Sequence, residues 1–395
     1  MRSLATELLA ILTSTNPASL SATVYLDGAE ITGTVKTIPP IRRRLGAISP
    51  EDYDVTVSRG TDVFSGEILA ENSVLSQLQI RVGAVASGGT LYEVPAHTGK
   101  LSRLSAGISG ITFGVAGKFG ELSAKTIGNP TSLATYAMTN PGSLAWSVVT
   151  CYGTLSSVAS ISNADIDFAS ASSWTSEFAS EQFTISAEFG GETVAEALAA
   201  IGAVTDSDIY TDIYGRLVFR RTMTTLAGSA EVIGSNQISD LTLEWDSADI
   251  INAVSIPYQY DTAANSWAGG ITAVSTTSQG SYGTKSRVLN DQLVWHDSAV
   301  SATNVAQRIV ARGKTPPRLL RVTGPLALFR HDIGDNVAVA ASTLIDSLGA
   351  RVTGYEIDWF RGTVELELSE RRLLRGFILD DSVYGLLDKD YNPLV

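Results

Sequence analysis

The sequence has one cysteine, three histidines and few charged residues. Cys151 has no second cysteine to pair with, which excludes an intrachain disulfide and a cysteine zinc cluster. We therefore expect a protein that assembles in a reducing cytoplasm. His97, His296 and His331 are isolated in the sequence and fit structural roles better than catalysis. The serine-hydrolase GxSxG, zinc HExxH and redox CxxC patterns are all missing, so no common catalytic motif is present.

Other candidate sites for chemistry are weak. Gly117–Lys118 is followed by Phe119, so the glycine-rich segment lacks the Ser or Thr of a phosphate-binding loop. Asp165 and Asp167 could begin a cation site, but the spacing of a calcium-binding hand is missing and a turn with helix-capping acids is favoured. A glycosidase-like pair of carboxylates stays open. We expect no cofactor, no bound metal and no enzymatic activity.

Long apolar runs are also missing, and no stretch of the sequence is apolar for long enough to span a bilayer. The first residues resemble a signal peptide, but Glu7 interrupts the apolar run. Leu4, Leu8 and nearby apolar residues repeat at helical spacing. They predict an amphipathic helix capped by Ser3, and a signal peptide is the alternative.

Charge is unevenly distributed along the chain, whose net charge is −13. An acidic chain is repelled by phosphates, which argues against an ordinary nucleic-acid binder but suits a wall that DNA must pass. Residues 126–215 contain no Lys or Arg, and residues 298–331 contain no Asp or Glu. Most of these charges fit solvated faces; the sharper hypothesis is pairing between domains or subunits, with Arg308 and Arg312 as candidates.

The patterns that are present predict a mainly β protein with an α+β insertion. Alternating apolar residues and many glycines favour strands and tight turns over most of the chain. A helix is predicted to begin at Asn140–Pro141 and a second at Thr193, where Glu196 completes a capping box. The segment SDIYTDIYGRLVFRR then predicts a hairpin whose turn runs from Asp212 to Gly215.

Further along, the sequence predicts a polar loop at Gly280–Gly283, then a strand, and a helix at Ala302–Arg312 that feeds a basic strand. Near the start of the chain, Arg42, Arg43 and Arg44 follow a rigid Pro–Pro turn. They fit either a solvated loop or an anchor on an acidic neighbour.

The order of these motifs resembles the baseplate hub family of bacteriophage tails. The resemblance covers about residues 140–372: the Asp212–Gly215 hairpin, the strand Asn252–Ile256, the Ser278–Tyr282–Gly283 segment and the helix that carries Arg308 and Arg312. It ends with a turn at His331–Val337 that contains Gly334 and Asp335. No single motif is specific, so the order and spacing carry the resemblance.

The resemblance implies two tube-like β-barrel domains per chain plus a helix-containing domain. The expected division is an N-terminal barrel at 1–95, a split second barrel at 96–140 and 318–372, an inserted α+β region at 141–317 and a C-terminal arm at 373–395. It also implies a homotrimer, whose six barrels match the sixfold symmetry of a tail tube.

The same resemblance implies a virion protein at the distal end of the tail. Its expected partners are the tail tube or distal tail protein, the tape measure protein, a central fibre or spike protein, and genomic DNA that passes through without specific binding. Membrane binding by the chain is not expected. Two other functions stay open: a cell-wall or polysaccharide hydrolase, and a carbohydrate-binding adhesin whose aromatic residues, such as Trp267 and Trp295, are spread along the sequence.

Overall fold

The computed structural model describes most of the chain between residues 6 and 370. The described residues are 6–13, 20–31, 35–37, 40–44, 53–58, 77–86, 88–107, 110–117, 122–150, 171–176, 178, 184–221, 231–245, 247–341 and 345–370. Predictions for Ser3, Cys151, Asp165, Asp167 and the C-terminal arm at 373–395 lie outside these residues.

The elements follow one another along the chain as mostly β structure with a few helices. The helices are α1 (Thr6–Thr13), α2 (Pro141–Thr150), α3 (Ala171–Ser176), α4 (Val194–Thr205), α5 (Thr276–Tyr282) and α6 (Ala299–Gly313). The strands are β1 (Leu20–Leu26), β2 (Ala29–Glu30), β3 (Val35–Thr37), β4 (Ile41–Arg44), β5 (Tyr53–Ser58), β6 (Gln77–Val85), β7 (Leu91–Gly107), β8 (Gly110–Ala116), β9 (Ala134–Thr139), β10 (Ile185–Phe189), β11 (Ser207–Thr211), β12 (Leu217–Arg221), β13 (Glu231–Gly234), β14 (Asp240–Trp245), β15 (Ala253–Asp261), β16 (Ser266–Val274), β17 (Ser286–Val288), β18 (Val294–His296), β19 (Arg318–Pro325), β20 (Asn336–Ala341), β21 (Ile345–Asp358) and β22 (Thr363–Glu370).

Three sheets and one separate hairpin account for these strands. The first sheet has the order β2-β1-β6-β7-β8-β5-β3, and the second has the order β13-β20-β21-β22-β19-β14 with β4 added beside β21. The third sheet has the order β16-β15-β18-β10-β9 with β17 beside β15, and β11 pairs only with β12. The predicted fold class, mainly β with an α+β insertion, is confirmed.

The buried side chains form two separate cores. One core joins the first and second sheets and includes Leu8 of α1, Phe113 of β8 and Leu366 of β22. The other core lies in the inserted region, where Leu198 of α4 and Val305 of α6 pack with strands of the third sheet. At about 25 cal/mol per Å² of apolar surface, burial in each core is the main force that holds its layers together.

Local capping signals act as the sequence predicts. Asn140 caps α2, with its Oδ1 accepting a hydrogen bond from the Gly142 amide at 2.9 Å. Thr193 and Glu196 form the reciprocal capping box of α4, with amide-to-side-chain distances of 2.8 and 3.2 Å. Asp206 then ends α4 in the left-handed conformation. The helix predicted at Ala302–Arg312 is confirmed as part of the longer α6.

Strand pairing differs from the expected division of the chain in three places. The segment 96–116, expected in the second barrel, belongs to β7 and β8 of the first sheet. Strands β13 and β14, expected in the inserted region, lie at the two edges of the second sheet, and β4 of the N-terminal region joins it as well. These pairings connect residues far apart in sequence, which local patterns do not specify. The domain boundaries themselves stay a prediction.

The predicted polar loop at Gly280–Gly283 is wrong. The segment continues α5, whose first turn is capped by the Ser275 hydroxyl. The helix ends where Gly283 adopts a positive φ of 71°, which suits glycine because it has no Cβ. The Ser and Gly content of the segment favours a loop, so the helix depends on tertiary contacts described below.

Candidate assembly interface

The first and second sheets repeat one strand order. When the six main strands of each sheet are numbered along the chain, both sheets read 1-4-5-6-3-2 from edge to edge. Four of the five neighbouring pairs are antiparallel in both sheets. The fifth pair differs, since β1 is antiparallel to β6 whereas β13 is parallel to β20. The chain therefore contains two sheets of nearly the same topology.

The long strand of each sheet, β7 and β21, carries the same bulge. The pairing of β7 with β8 shifts at Ser102, and the pairing of β21 with β22 shifts at Thr353. In each bulge the hydroxyl donates a hydrogen bond across the ladder, from Ser102 to the Gly114 carbonyl and from Thr353 to the Glu367 carbonyl, both at 3.1 Å. A bulge increases the local twist of a strand, so the shared feature gives both sheets a bend at the same point.

The β11–β12 hairpin connects the two cores. Side chains alternate across a strand, and here the alternation sends Ile209 and Phe219 into the core of the inserted region. Tyr210 and Val218, on the opposite face, join the core of the two large sheets. The hairpin is therefore buried on both faces and fixes the inserted region against the tandem sheets.

A buried ion pair ties this hairpin to the second sheet. Arg351 of β21 donates from Nη1 to Asp208 of β11, and its side chain is only 3% exposed. The turn that precedes β20 lies beside the pair, where Gly334 has a φ of 88°. A Cβ at Gly334 would lie 3.0 Å from the Tyr210 hydroxyl. Asp335 closes this turn by accepting a hydrogen bond from the Asp332 amide at 2.8 Å.

The turn of the same hairpin contacts the first sheet. Asp212 Oδ1 accepts hydrogen bonds from the amides of Tyr214 and Arg216, both at 2.9 Å, which holds the turn closed. Thr98 of β7 donates from its hydroxyl to the Ile213 carbonyl at 3.0 Å. Gly215 has a φ of 75°, and a Cβ there would lie 2.9 Å from the Thr98 carbonyl oxygen. Both conditions require glycine at this position.

The two candidate arginines of α6 contact the end of α4 in the same chain. Arg312 forms a bidentate pair with Asp206 at 2.6 and 2.5 Å, and Arg308 donates to the Thr205 carbonyl at 3.0 Å. Burial opposes the charge of Arg312, but the hydrogen bonds and charge of Asp206, helped by Asp208, outweigh burial and raise its pKa. These contacts join the acidic and basic segments of the sequence, but within one chain.

His296 is a buried base at the meeting point of three elements. Its Nδ1 lies 2.7 Å from the Ser301 hydroxyl and its Nε2 lies 3.0 Å from the Val204 carbonyl. Burial lowers the pKa of His296 to about 4, so the ring is neutral near pH 7. Nε2 then donates to the carbonyl and Nδ1 accepts from Ser301. The histidine links β18, α4 and α6 and has a structural role, as the sequence predicts.

The Tyr282–Gly283 candidates lie at the end of α5, on a buried asparagine. Asn252 donates from Nδ2 to the Gly283 carbonyl at 2.8 Å and accepts from the Lys285 amide at 2.8 Å. It also reaches the Ser278 hydroxyl at 3.2 Å. Asn252 is completely buried and satisfies the end of a helix that has little apolar surface of its own. Tyr282 is 40% exposed.

The Arg42–Arg44 cluster lies on β4, which crosses from the N-terminal region to the second sheet. Arg42 pairs with Glu356 of β21 in the antiparallel ladder, and Arg44 pairs with Gly354. The strand begins at Ile41, which is 1% exposed and lies opposite Ile357. The cluster is therefore part of a strand and not of a loop.

No group of three or more His, Cys, Asp or Glu side chains in the described residues could hold a metal ion. No helix in the described part of the chain combines the length and apolar character needed to cross a membrane. Trp267 and Trp295, which are spread out in sequence, meet around Tyr260 at ring distances of 4.7 and 5.6 Å. Trp295 is 9% exposed, so this cluster is mainly a packing unit.

Sequence comparison matches the chain to no protein-family model and to no curated protein. Structural comparison finds a 43 kDa tail protein of prophage MuSo2 from Shewanella oneidensis, with a TM-score of 0.53 and 14% identity over 89% of this chain and 99% of the other. A tail protein from Neisseria meningitidis MC58 gives a TM-score of 0.52 and 13% identity over 90% and 98% of the two chains.

A third similar structure is the prophage tail protein gp18 from Listeria monocytogenes EGD-e. Its TM-score is 0.51, with 11% identity over 88% of this chain and 94% of that one. The matches extend over nearly the whole length of each relative, so they include the tandem sheets and the inserted region together. At these identities the likeness establishes the fold, and the chain has the fold of prophage tail proteins.

Proposed function

We propose that the chain is a structural protein of a phage tail, and that three copies form the hub at the distal end. The tandem strand order carries this proposal. Two sheets of the same topology in one chain make six equivalent positions in a trimer, which can mate with a sixfold tail tube. The fold shared with prophage tail proteins supports a structural role over an enzymatic one.

In this proposal the hub joins the tail tube or distal tail protein to a central fibre or spike protein, next to the tape measure protein. DNA passes through the ring without specific binding. The inserted region, which has its own core, would supply a further contact surface. The C-terminal arm at 373–395 is the expected contact with the fibre or spike.

The face of the second sheet that carries Glu356, Glu365 and Glu367 is our candidate for the channel wall. On β22, Leu366 points into the core, so its neighbours Glu365 and Glu367 lie on the opposite face. Glu356 of β21 lies opposite Glu365 in the ladder and on the same face. On the same face Arg321 of β19 lies opposite Glu367, and Arg42 of β4 pairs with Glu356 in the ladder, so the carboxylates there are partly balanced by arginines.

Electron microscopy of the purified chain, beside the assembled tail, tests this proposal. The expected result is a threefold ring with an open channel that Glu365 and Glu367 face. A compact monomer in both samples would overturn the hub. A ring whose second-sheet glutamates face outward would remove the channel wall and leave the hub in place.

A further inference from the structure

The longest strands of the two sheets differ in what lies along one edge. In the second sheet, β20 pairs with β21 up to Arg351, and β4 pairs with the same edge from Gly354 onward. In the first sheet, β6 pairs with β7 up to Lys100, at the equivalent position. Beyond it, residues 101–107 pair with β8 on one edge only, and no described strand lies along the other.

The side chains of the two segments reflect this difference. Tyr355 and Ile357, in the covered half of β21, are 3% and 1% exposed. The corresponding residues of β7 are more exposed: Leu104, equivalent to Tyr355, is half-buried, and Ser105, equivalent to the half-buried Glu356, is exposed.

The backbone can accept a strand along this edge, which no described strand covers. Gly107 and Gly110 are the last pair before a two-residue connection, so they exchange hydrogen bonds with each other. In an antiparallel ladder such pairs alternate, which makes Ser105 and Arg103 the next residues bonded to β8. The amides of Leu104 and Ala106 therefore point away from β8, along the open edge.

We propose that residues 101–107 of β7 accept a strand from a second copy of this chain. This inference rests on the proposed trimer. Within one chain the first sheet reaches the second by adding β4 to the edge of β21. In a ring the two sheets alternate, so each first sheet also follows the second sheet of a neighbouring copy. The equivalent edge of β7 is then the position where that neighbour adds a strand from its own connection between β14 and β19, which corresponds to the connection that holds β4. In that connection β16 lies at the edge of the third sheet.

Hydrogen–deuterium exchange of the full chain, across a dilution series, tests this directly. Amides of Leu104 and Ala106 should exchange at least tenfold more slowly in the oligomer than in the monomer. Tyr355 and Ile357, whose edge is already covered within each copy, serve as the internal control and should not change. Equal protection of β7 in monomer and oligomer would overturn the proposal, whether the edge stays open or a segment of the same copy covers it.

Ala106→Pro provides the second test. Proline removes the outward amide and places its ring where an added strand would lie, while the β7–β8 bonds stay intact. The variant should fold with an unchanged far-ultraviolet spectrum but associate at least tenfold more weakly than the wild-type chain. Ala106→Val, which keeps the amide, is the matched control and should associate normally. If the proline variant proves unfolded, the exchange experiment on the wild-type chain decides.

The results separate this inference from the proposed hub. A threefold ring with an unprotected β7 edge removes the strand addition and keeps the hub. A protected edge in an oligomer of another symmetry keeps the strand addition and removes the threefold hub. A chain that stays monomeric at every concentration and in the tail overturns both.

Discussion

The two large sheets share a strand order and a bulge, yet their long strands have different surroundings. The connection between the second and third main strands accounts for much of this difference. In the first sheet that connection carries β4 away to cover β21. In the second sheet the corresponding connection contains residues 246–317, which build most of the third sheet and α6. The same strand order is thus compatible with different neighbours at the edge of the long strand. Ladder pairing fixes the order of the strands, whereas the connections determine which segment lies along that edge.

Equivalent positions on the long strands also differ in chemistry. Arg351 of β21 is buried against Asp208, whereas its counterpart on β7 is the half-buried Lys100. One residue earlier, β21 has Ala350 and β7 has Gly99. These two pairs of positions allow matched substitutions to be made in both sheets and compared.

The largest difference is expected at the buried ion pair. Arg351→Met removes the ion pair to the Asp208 carboxylate, whose side chain is 12% exposed, and should lower the free energy of unfolding by about 3–5 kcal/mol. Lys100→Met, the matched change on β7, should cost less than about 1 kcal/mol. Urea unfolding of both variants measures the loss in the free energy of unfolding. Equal losses would show that Arg351 contributes no more to stability than Lys100 does.

Acid should destabilise the inserted region through His296. The pKa of His296 is about 4 in the folded chain and about 6.5 when unfolded, so between these values the unfolded state binds the extra proton. The free energy of unfolding of the inserted region should therefore fall by about 3 kcal/mol as the pH falls from 6.5 to 4. Below pH 4 protonation of His296 should cause no further loss.

The variant His296→Gln removes this titration. Thermal unfolding at several pH values should show a flatter pH dependence for the variant than for the wild-type chain. Amide hydrogen exchange of α4 and α6, whose Leu198 and Val305 lie in its core, reports the inserted region separately. A wild-type pH profile that the substitution leaves unchanged would contradict the assignment.

A smaller effect on stability is expected at Gly99 of the first sheet, where the second sheet has Ala350. A Cβ at Gly99 would lie 2.4 Å from the Ala116 carbonyl oxygen, so Gly99→Ala should cost about 1–3 kcal/mol through overpacking. The reverse change in the second sheet, Ala350→Gly, should cost about 0.5–1 kcal/mol through backbone entropy. Denaturant midpoints of the two variants show which substitution costs more stability. If β7 could move away from β8 and make room for the Cβ, Ala350→Gly would cost more than Gly99→Ala.

The smallest effects belong to the shared bulge. Removing the hydroxyl by Ser102→Ala or Thr353→Val should cost about 0.5–1.5 kcal/mol in each sheet. Thr353 should show the larger loss, because it is half-buried and Ser102 is exposed. Precise denaturation curves measure the pair, and a loss in one sheet alone would indicate that the two bulges are not equivalent.

Features encoded by neighbouring residues could be predicted from the sequence. The caps at Asn140 and Thr193, the Asp212–Gly215 turn, and the alternation of β21 and β22 all depend on residues a few positions apart. Several candidate residues of the resemblance also meet in space: Asp212, Gly215 and Gly334 all lie around the hairpin that joins the cores. Their partners Thr98 and Arg351 carry no local signal, and sequence reasoning missed them.

The sequence by itself determined the mainly β class, the inserted helices and the positions of most turns, because hydrophobic period and capping chemistry act over short distances. Only the tertiary structure decided that β7 belongs to the first sheet, that β4 covers the second, and that 276–282 is a helix. Strand partners are chosen among many apolar segments by packing and register, and α5 is held by the buried Asn252. Such choices depend on contacts between distant residues, which exist only once the chain has folded.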